Sequence, residues 1–250
     1  MENKKTWRDG YYRILEIDPW LEPYRGDLEA RMRRYDSVRS SLLGDEDIRA
    51  FANGYLYFGF HREEDGWVYR EWAPGADDIH LMGDFNGWNG DSHPMTRLEG
   101  GIWEIRLAGR DALKHGQLVK ALVTKDGVRT AHISPWIRRL FHSPDDDSFC
   151  GQIWEPDEPF AWTDDGWQGR GEAPLIYEAH VGMAQEDERV GTYREFTRNV
   201  LPRIKADGYN TIQLMGIMEH PYYASFGYQV TNFFAASRSE EHTSELQSLA

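Results

Sequence analysis

A carboxylate and an imidazole lie side by side at Glu219 and His220, and such a pair can exchange a proton when its surroundings bring the two pKa values together. The pair follows residues 211–215, a short apolar segment that predicts a β-strand. Active-site loops of α/β domains begin where strands end. An ion pair that only shapes the loop would explain the same two residues, so both interpretations stay open.

Aromatic side chains make up 14% of the 250 residues and include 10 Trp and 13 Tyr. Flat rings can pack against the apolar C–H faces of sugars, which would suit a carbohydrate-binding protein. Large rings are also ordinary core residues of β-sandwiches. Composition alone does not choose between the two.

The net charge is −14, so the sequence lacks the excess of basic residues expected of a protein that binds nucleic acid or an anionic membrane. This charge is compatible with a neutral polyol substrate. Cys150 is the only cysteine, which excludes an intramolecular disulfide and a Cys-rich zinc site and fits a reducing cytosol. Residues 1–10 lack the apolar run of a signal peptide, and no stretch is long enough to span a bilayer. We therefore expect a cytoplasmic protein without nucleic-acid or membrane partners.

Residues 1–53 predict a helical segment. Its main helix is expected over 27–43, with Gly44 as the terminator and a shorter helix over 46–52. Apolar residues recur there at three- and four-residue steps: Leu28, Met32, Tyr35, Val38 and Leu42.

Short strands separated by turn signals follow from residue 54 to residue 150. They are predicted over 67–72, 79–82, 102–107, 118–124 and 128–133. Asp126-Gly127 separates the last two strands and is a strong signal for a tight hairpin. This spacing predicts an antiparallel β-sandwich, and the Pro- and Asp-rich residues 151–172 predict a linker after it.

The pattern changes again over residues 173–237. Strands are predicted over 175–181 and 211–215, with a helix between them that opens at a capping box formed by Thr192 and Glu195. Pro202 predicts a kink in this helix, and Gly208 suits its C-terminal cap. Strand, helix and strand form a βαβ unit, the opening of an α/β domain. Glu178 is expected to be a buried, paired carboxylate rather than an acid catalyst.

Three stretches together resemble branching enzymes of the α-amylase superfamily. In order, they are Glu71-Trp-Ala-Pro-Gly-Ala76 with Gly83-Asp-Phe-Asn-Gly-Trp-Asn89, then Ile176-Tyr-Glu-Ala-His-Val-Gly182, then Asn199-Val-Leu-Pro-Arg-Ile-Lys205 running into Tyr223-Ala-Ser-Phe-Gly-Tyr-Gln229. The first is similar to the family-48 carbohydrate-binding module, and the second to the first strand of a (β/α)8 barrel. The resemblance extends over residues 11–237.

The resemblance implies an enzyme that cleaves α-1,4-glucan and transfers the cut piece to a 6-hydroxyl with retention. Retention requires a carboxylate nucleophile and a carboxyl acid/base about 5 Å apart. In the family these groups follow later barrel strands, so we expect this chain to contain no catalytic carboxylate and to show no turnover by itself. No metal ion or cofactor is implied, and the expected partner is an α-glucan such as glycogen or starch.

The resemblance also implies three substrate-binding residues. Tyr228 corresponds to a tyrosine that stacks on the sugar beside the scissile bond, with a packed loop residue as the alternative. Trp72 and Pro74 match a position where the sandwich binds glucan, with core packing as the alternative. The neighbouring Gly100 and Gly101 replace bulkier residues of close relatives, which puts full retention of that site in doubt. His180, at the end of the first barrel-like strand, is expected to be structural.

Two other functions compete with the branching enzyme. A stand-alone glucan-binding module would not need residues 175–237, and a debranching relative would hydrolyse α-1,6 links instead of making them. Residues 238–250 depart from the family and resemble a translated sequencing adapter, so we expect this tail to be artefactual and its Glu240, Glu241 and His242 not to be a metal site. We also expect residues beyond 172 to be unstable, because two barrel strands leave an unpaired edge.

Overall fold

The computed structural model describes residues 6–143, 145–146, 148–158, 160–169 and 173–237. The expectations for residues 238–250 lie outside these ranges. The chain divides into two compact units, Met1–Gly54 and Tyr55–Ala250, which are treated separately below. In the described ranges, no helix combines the length and the apolar character needed to cross a membrane.

The first unit is helical, as predicted. Its helices are α1 (Arg13–Ile17), α2 (Arg25–Leu43) and α3 (Ile48–Phe51). Gly44 ends α2 with a φ of +55°, a conformation that glycine adopts without a steric penalty. The apolar stripe of α2 is only partly covered, because Leu28 and Met32 are half-buried whereas Val38 and Leu42 are exposed.

The second unit begins with nine strands. They are β1 (Gly59–Arg62), β2 (Gly66–Trp72), β3 (Asp78–Gly83), β4 (Thr96–Arg97), β5 (Ile102–Ala108), β6 (Leu118–Lys125), β7 (Val128–His132), β8 (Leu140–His142) and β9 (Phe149–Gln152). One sheet has the order β1-β2-β5-β4, and the other has β3-β6-β9-β8 with β7 beside β6. All of these pairs are antiparallel, so the predicted antiparallel architecture is confirmed.

The β6–β7 hairpin forms at the predicted turn. Asp126 and Gly127 have φ angles of +49° and +78°, as a tight two-residue hairpin turn requires. The Asp77 carboxylate accepts the Asp126 backbone N–H at 2.7 Å and the Lys125 ammonium at 3.2 Å. A side chain 49 residues away therefore supports a turn that local sequence already favours.

The core of the sandwich takes side chains from both sheets, and one from far along the chain. Tyr69, Ile79, Leu81 and Trp103 pack in one cluster of buried residues. Ala235, which is 2% exposed, packs in the neighbouring cluster with residues such as Trp67, Val119 and Ile153. The sandwich core therefore includes a residue from the segment beyond 172.

That segment contains the predicted strand–helix–strand unit. It consists of β10 (Ile176–His180), α4 (Tyr193–Glu195), a π-helical turn (Phe196–Val200), α5 (Leu201–Ala206) and β11 (Thr211–Met215), followed by β12 (Met218–Glu219) and β13 (Asn232–Ala236). β10 and β11 are parallel, in register from Ile176↔Thr211 to His180↔Met215. The helix buries Tyr193, Phe196 and Ile204 against them. The predicted domain boundaries at 150 and 172 stay predictions.

The helix begins at the predicted capping box and is irregular near Pro202. The Thr192 hydroxyl accepts the Glu195 N–H at 3.0 Å, and the Glu195 carboxylate accepts the Thr192 N–H at 2.9 Å. Pro202 has no N–H to offer the carbonyl of Arg198, and the helix widens to a π-helical turn directly before it. The expected irregularity is present, and it lies on the N-terminal side of the proline.

Glu195 also pairs with Arg189, and the hydrogen bonds from Arg189 and from Thr192 lower the pKa of Glu195 to about 2. A lowered pKa stabilises the fold above the unfolded-state value of about 4.3, and the contribution is lost as the pH falls towards 2. We expect the stability difference between the wild type and Glu195→Gln to be largest near neutral pH and to shrink over this acidic window.

Thermal unfolding followed by circular dichroism from pH 7 to pH 2.5 measures this difference. Glu186→Gln is the matched control, since it removes a carboxylate from the preceding loop and leaves the capping box intact. If the two variants kept the same offset from the wild type at every pH, the predicted role of Glu195 would be wrong.

Candidate functional site: the carboxyl ends of two parallel strands and one sandwich surface

Tyr228 lies in the loop between β12 and β13. The loop turns through Tyr223–Ser225, after which Phe226 and Gly227 both have positive φ, +54° and +84°. The Tyr228 N–H donates to the Ser225 carbonyl at 3.0 Å, while the Tyr228 side chain is 80% exposed. A ring so exposed is available to a ligand. Tyr228 therefore does not have the position of a packed loop residue, which was the alternative interpretation.

Two glycines place this loop against the end of β11. A Cβ built on Gly227 would lie 2.2 Å from the Cα of Gly216, so no side chain fits between the two backbones. Gly216 directly follows β11, and a Cβ there would lie 3.0 Å from Nε2 of His180, the last residue of β10. The Tyr228 loop therefore lies at the carboxyl ends of the two parallel strands.

His180 contacts aromatic rings of the same loop. Its imidazole is edge-on to Tyr223 and Phe226, with ring centroids 5.9 and 6.3 Å away. Within the described residues neither ring nitrogen has a hydrogen-bond partner, and burial lowers the pKa of His180. A neutral imidazole packed among rings agrees with the structural role expected for it.

Glu219 and His220 are 1% and 6% exposed. The His220 backbone N–H donates to Glu219 Oε1 at 3.1 Å, and His220 Nδ1 lies 3.0 Å from the Met218 carbonyl, to which it donates. The carboxylate thus contacts the backbone of its neighbour, and the imidazole is directed to a carbonyl. This arrangement favours the loop-shaping interpretation of the pair.

The expectation that Glu178 is buried is wrong. Its side chain is exposed, and it accepts a hydrogen bond from Gln213 Nε2 at 3.0 Å across the β10–β11 pair. In the described residues the β10–β11 sheet has two strands only, so this face is open to solvent. The carboxylate is nevertheless paired, as expected.

Trp72 and Pro74 lie together on the sandwich. Trp72 ends β2 and is 59% exposed, and its indole N–H donates to the Gly100 carbonyl at 3.1 Å. Pro74 is exposed, and its carbonyl accepts from Arg97 at 3.0 Å. Trp72 is therefore not a core residue, and its indole N–H is anchored by the Gly100 carbonyl.

The two glycines beside this surface differ in the space around them. Both have positive φ, +70° at Gly100 and +79° at Gly101. A Cβ at Gly101 would lie 2.6 Å from the Cα of Pro74, whereas a Cβ at Gly100 would have no atom within 4 Å. The absence of a side chain at Gly101 is thus what allows the Pro74 backbone to approach.

Gly101→Ala is therefore expected to cost clearly more than Gly100→Ala. Both variants place an L-residue at positive φ, which costs about 1 kcal/mol. Only Gly101→Ala adds a collision with backbone, for about 2 kcal/mol more. Urea unfolding followed by tryptophan fluorescence gives both free energies of unfolding. Equal losses in the two variants would show that the contact with Pro74 is unimportant.

Sequence reasoning missed a buried polar cluster directly beside Trp72. Glu71 is 7% exposed; its Oε2 accepts from the Tyr69 hydroxyl at 2.9 Å and from the Ser134 hydroxyl at 2.8 Å. Its Oε1 accepts the Trp72 N–H at 3.1 Å. Burial raises the pKa of Glu71, and it raises that of Tyr69 well above its usual range. The sequence contained one signal for this cluster: Glu71 alternates with Trp67 and Tyr69 and so lies on the same face of β2.

A family model and the curated relatives match this chain. Carbohydrate-binding module 48 (isoamylase N-terminal domain) matches residues 57–137, within the sandwich. The 1,4-alpha-glucan-branching enzyme of Emericella nidulans is 45% identical over 94% of this chain and 36% of its own length. Those of Equus caballus and Solanum tuberosum are 40% and 43% identical over 95% and 99% of this chain, and over 35% and 29% of their own lengths.

Solved structures show the same fold at lower identity. A pullulanase from Bacillus acidopullulyticus has a TM-score of 0.57 at 22% identity, over 77% of this chain and 27% of its own. A putative alpha amylase from Salmonella typhimurium has the same TM-score and identity over 73% of this chain and 28% of its own. This chain spans about a third of the length of the curated relatives. The high identity of those relatives along nearly all of it, with the module at the matching residues, shows that the chain belongs to the 1,4-alpha-glucan-branching enzyme family.

Proposed function

We propose that this chain is the glucan-binding and barrel-opening part of an enzyme that introduces α-1,6 branches into an α-glucan. The observation that carries the proposal is the 45% identity to a branching enzyme along 94% of the chain. The identity extends beyond the module into the strand–helix–strand unit, which a stand-alone glucan-binding module would not need. The reaction proposed is a double displacement with retention, in which a carboxylate nucleophile forms a glycosyl-enzyme intermediate.

In this proposal β10 and β11 are the first two strands of a (β/α)8 barrel. Their parallel pairing, with the helix packed between them in sequence, supports this assignment. Active sites of such barrels lie at the carboxyl ends of the strands, which is where the Tyr228 loop lies. Tyr228 would present its exposed ring to the sugar beside the scissile bond, and the catalytic carboxylates would come from later strands.

The second part of the proposal assigns a glucan-binding surface to the sandwich, residues 54–150, followed by a linker over 151–172. Trp72 would offer the face of its exposed ring to the C–H face of a glucose unit, with Pro74 beside it as a second apolar contact. Gly100 leaves the neighbouring space open, so a ligand would meet less surface there, whereas Pro74 fills the space beside Gly101. The partner proposed is an α-glucan, glycogen or a starch-like polymer.

The experiment that tests the reaction joins this chain to the remaining segment of the Emericella nidulans enzyme and incubates the chimera with amylose. New α-1,6 links, quantified by proton NMR of the polysaccharide, are the expected product, with no rise in reducing ends. A rise in reducing ends from the branched substrate glycogen in a parallel incubation, without new branches in amylose, would support a hydrolase of the debranching type. The unaltered Emericella enzyme, assayed in parallel, shows that the method detects branching.

We also propose a cytoplasmic location, in line with the single cysteine and the acidic charge. Some relatives carry the names of chloroplastic or amyloplastic enzymes, so the compartment differs within the family. Cell fractionation with an antibody against the sandwich distinguishes the two. Enrichment in a plastid or other organelle fraction would overturn the cytoplasmic assignment.

A further inference from the structure

A chain of buried polar contacts runs from the sandwich to the strand that follows the Tyr228 loop. Its first part is Glu71, which accepts the hydroxyls of Tyr69 and Ser134 and the N–H of Trp72. Its second part is Ser134, whose carbonyl accepts the side-chain amide of Asn232 at 3.1 Å, 98 residues further on. Glu71, Ser134 and Asn232 are all at most 7% exposed.

Asn232 also closes the loop that carries Tyr228. It pairs with Glu219 across the β12–β13 ladder. Beside it, the backbone N–H and the hydroxyl of Thr231 donate to the Glu219 carbonyl at 2.8 and 3.1 Å. The loop therefore starts and ends at one short ladder, and the Asn232 side chain joins that ladder to the sandwich.

The apolar contacts of β13 do not define its position as sharply. Phe234 stacks on Trp136 with ring centroids 4.8 Å apart, and Ala235 packs in the sandwich core. Apolar contacts change little in energy when surfaces slide by a fraction of an ångström. A buried amide or carboxylate that loses its partner costs far more, so the polar chain tolerates only one placement.

We infer that Glu71, Ser134 and Asn232 form a positioning bridge, which holds the Tyr228 loop in place on the sandwich and links it to the backbone of Trp72. All three are positioning residues, since none of them is on the exposed surface. The inference rests on the proposed function in one respect only, which is that Trp72 and Tyr228, the residues that the bridge connects, both bind glucan. The effect of the bridge on the loop can be tested without a ligand.

Hydrogen exchange of the backbone amides of Tyr228 and Thr231 tests the bridge in the full chain. Ser134→Ala removes the hydroxyl that donates to Glu71 and keeps the backbone carbonyl that accepts from the Asn232 amide. It is expected to speed exchange at both amides by about fivefold. Asn232→Leu removes the link to the loop and is expected to have at least this effect. In the double variant, Ser134→Ala should add nothing, because the link is already broken.

Tyr193→Phe is the matched control. It removes the hydrogen bond between the Tyr193 and Ser237 hydroxyls, 3.0 Å apart and buried near the end of β13, and leaves the bridge untouched. Its effect is expected to spare the Tyr228 and Thr231 amides. The inference is wrong if Ser134→Ala leaves the loop unchanged, if its effect adds fully to that of Asn232→Leu, or if Tyr193→Phe accelerates the loop equally. Should Asn232→Leu fail to fold, Ser134→Ala and Tyr193→Phe decide between the outcomes.

Ligand binding distinguishes a failure of the bridge from a failure of the proposed function. With maltoheptaose as the probe, Tyr228→Ala, which removes the ring that would contact the ligand directly, is expected to bind and to exchange more slowly at Thr231, and Asn232→Leu in the same background is expected to bind without that slowing. Slowing that survives in Asn232→Leu would show that the bridge does not connect the two sites. If maltoheptaose does not bind the wild type, the proposed glucan-binding role fails, and the bridge is judged on the ligand-free comparison above.

Discussion

Gly227→Ala is expected to displace the Tyr228 loop and to lower the free energy of unfolding by about 3 kcal/mol. About 1 kcal/mol comes from the positive φ of +84°, which an L-residue adopts only with strain. About 2 kcal/mol more comes from overpacking, because the new Cβ would lie 2.2 Å from the Cα of Gly216 and backbone cannot rotate away as a side chain does.

Gly208→Ala is the control for the conformational part of this effect. Gly208 has a φ of +92° at the C-terminal end of the βαβ helix, and a Cβ there would have no atom within 4 Å. It should lose only about 1 kcal/mol. Urea unfolding measures the two losses, and amide shifts of residues 223–229 in a nitrogen–proton NMR spectrum report on the loop. Similar losses, or an unchanged loop spectrum in Gly227→Ala, would contradict the proposed close packing of Gly227 on Gly216.

The parts of the fold that could be predicted from sequence are those whose cause is local. The β6–β7 hairpin follows from Asp126-Gly127, because those two residues accept the positive φ that the turn needs. The capping box of Thr192 and Glu195 is complete within four residues, and the structure has both of its hydrogen bonds. In each case the residue and its partner are close in the chain, so a short pattern contains the whole interaction.

The parts that could not be predicted depend on partners far apart in sequence. Nothing within the strand that holds Glu71 indicates that its partner is Ser134, 63 residues later, or that the next link is Asn232. The expectation for Glu178 is wrong because a carboxylate in an apolar-rich strand suggests burial, whereas among the described residues the β10–β11 sheet has two strands and leaves this side chain exposed. Burial is a property of the assembled sheet, and a single strand does not contain it.

Packing between segments far apart in sequence also changes which part of the chain is expected to be unstable. From the sequence, residues beyond 172 are expected to be unstable, since an incomplete barrel leaves an unpaired edge. The structure instead packs Ala235 into the sandwich core and stacks Phe234 on Trp136. The β10–β11 pair keeps its exposed face, whereas β13 shares the core of the sandwich. Limited proteolysis should therefore cut before β13 and leave β13 itself protected.

Trp72→Ala is expected to weaken maltoheptaose binding by about 30-fold, the loss that corresponds to about 2 kcal/mol for an aromatic residue at the centre of a binding surface. The exposed ring offers a rigid apolar face, and its N–H is held by the Gly100 carbonyl, so little side-chain freedom is lost on binding. Isothermal titration of the full chain measures the affinity. Trp72→Phe keeps an aromatic face without the N–H anchor and should fall between the wild type and Trp72→Ala.

Trp88→Ala is the control that makes this result specific. Trp88 is also partly exposed and also has its indole N–H engaged, by Asp84 Oδ1 at 2.9 Å, but it lies on a turn of the sandwich. Its replacement should leave the affinity within about twofold, because a ring outside a binding surface contributes little. If Trp72→Ala bound as tightly as the wild type, the site would have to be sought at Tyr228, whose ring is the more exposed. If both tryptophan variants lost affinity equally, the cause would be damage to the sandwich, because Trp72 and Trp88 both belong to it, and not loss of a sugar contact.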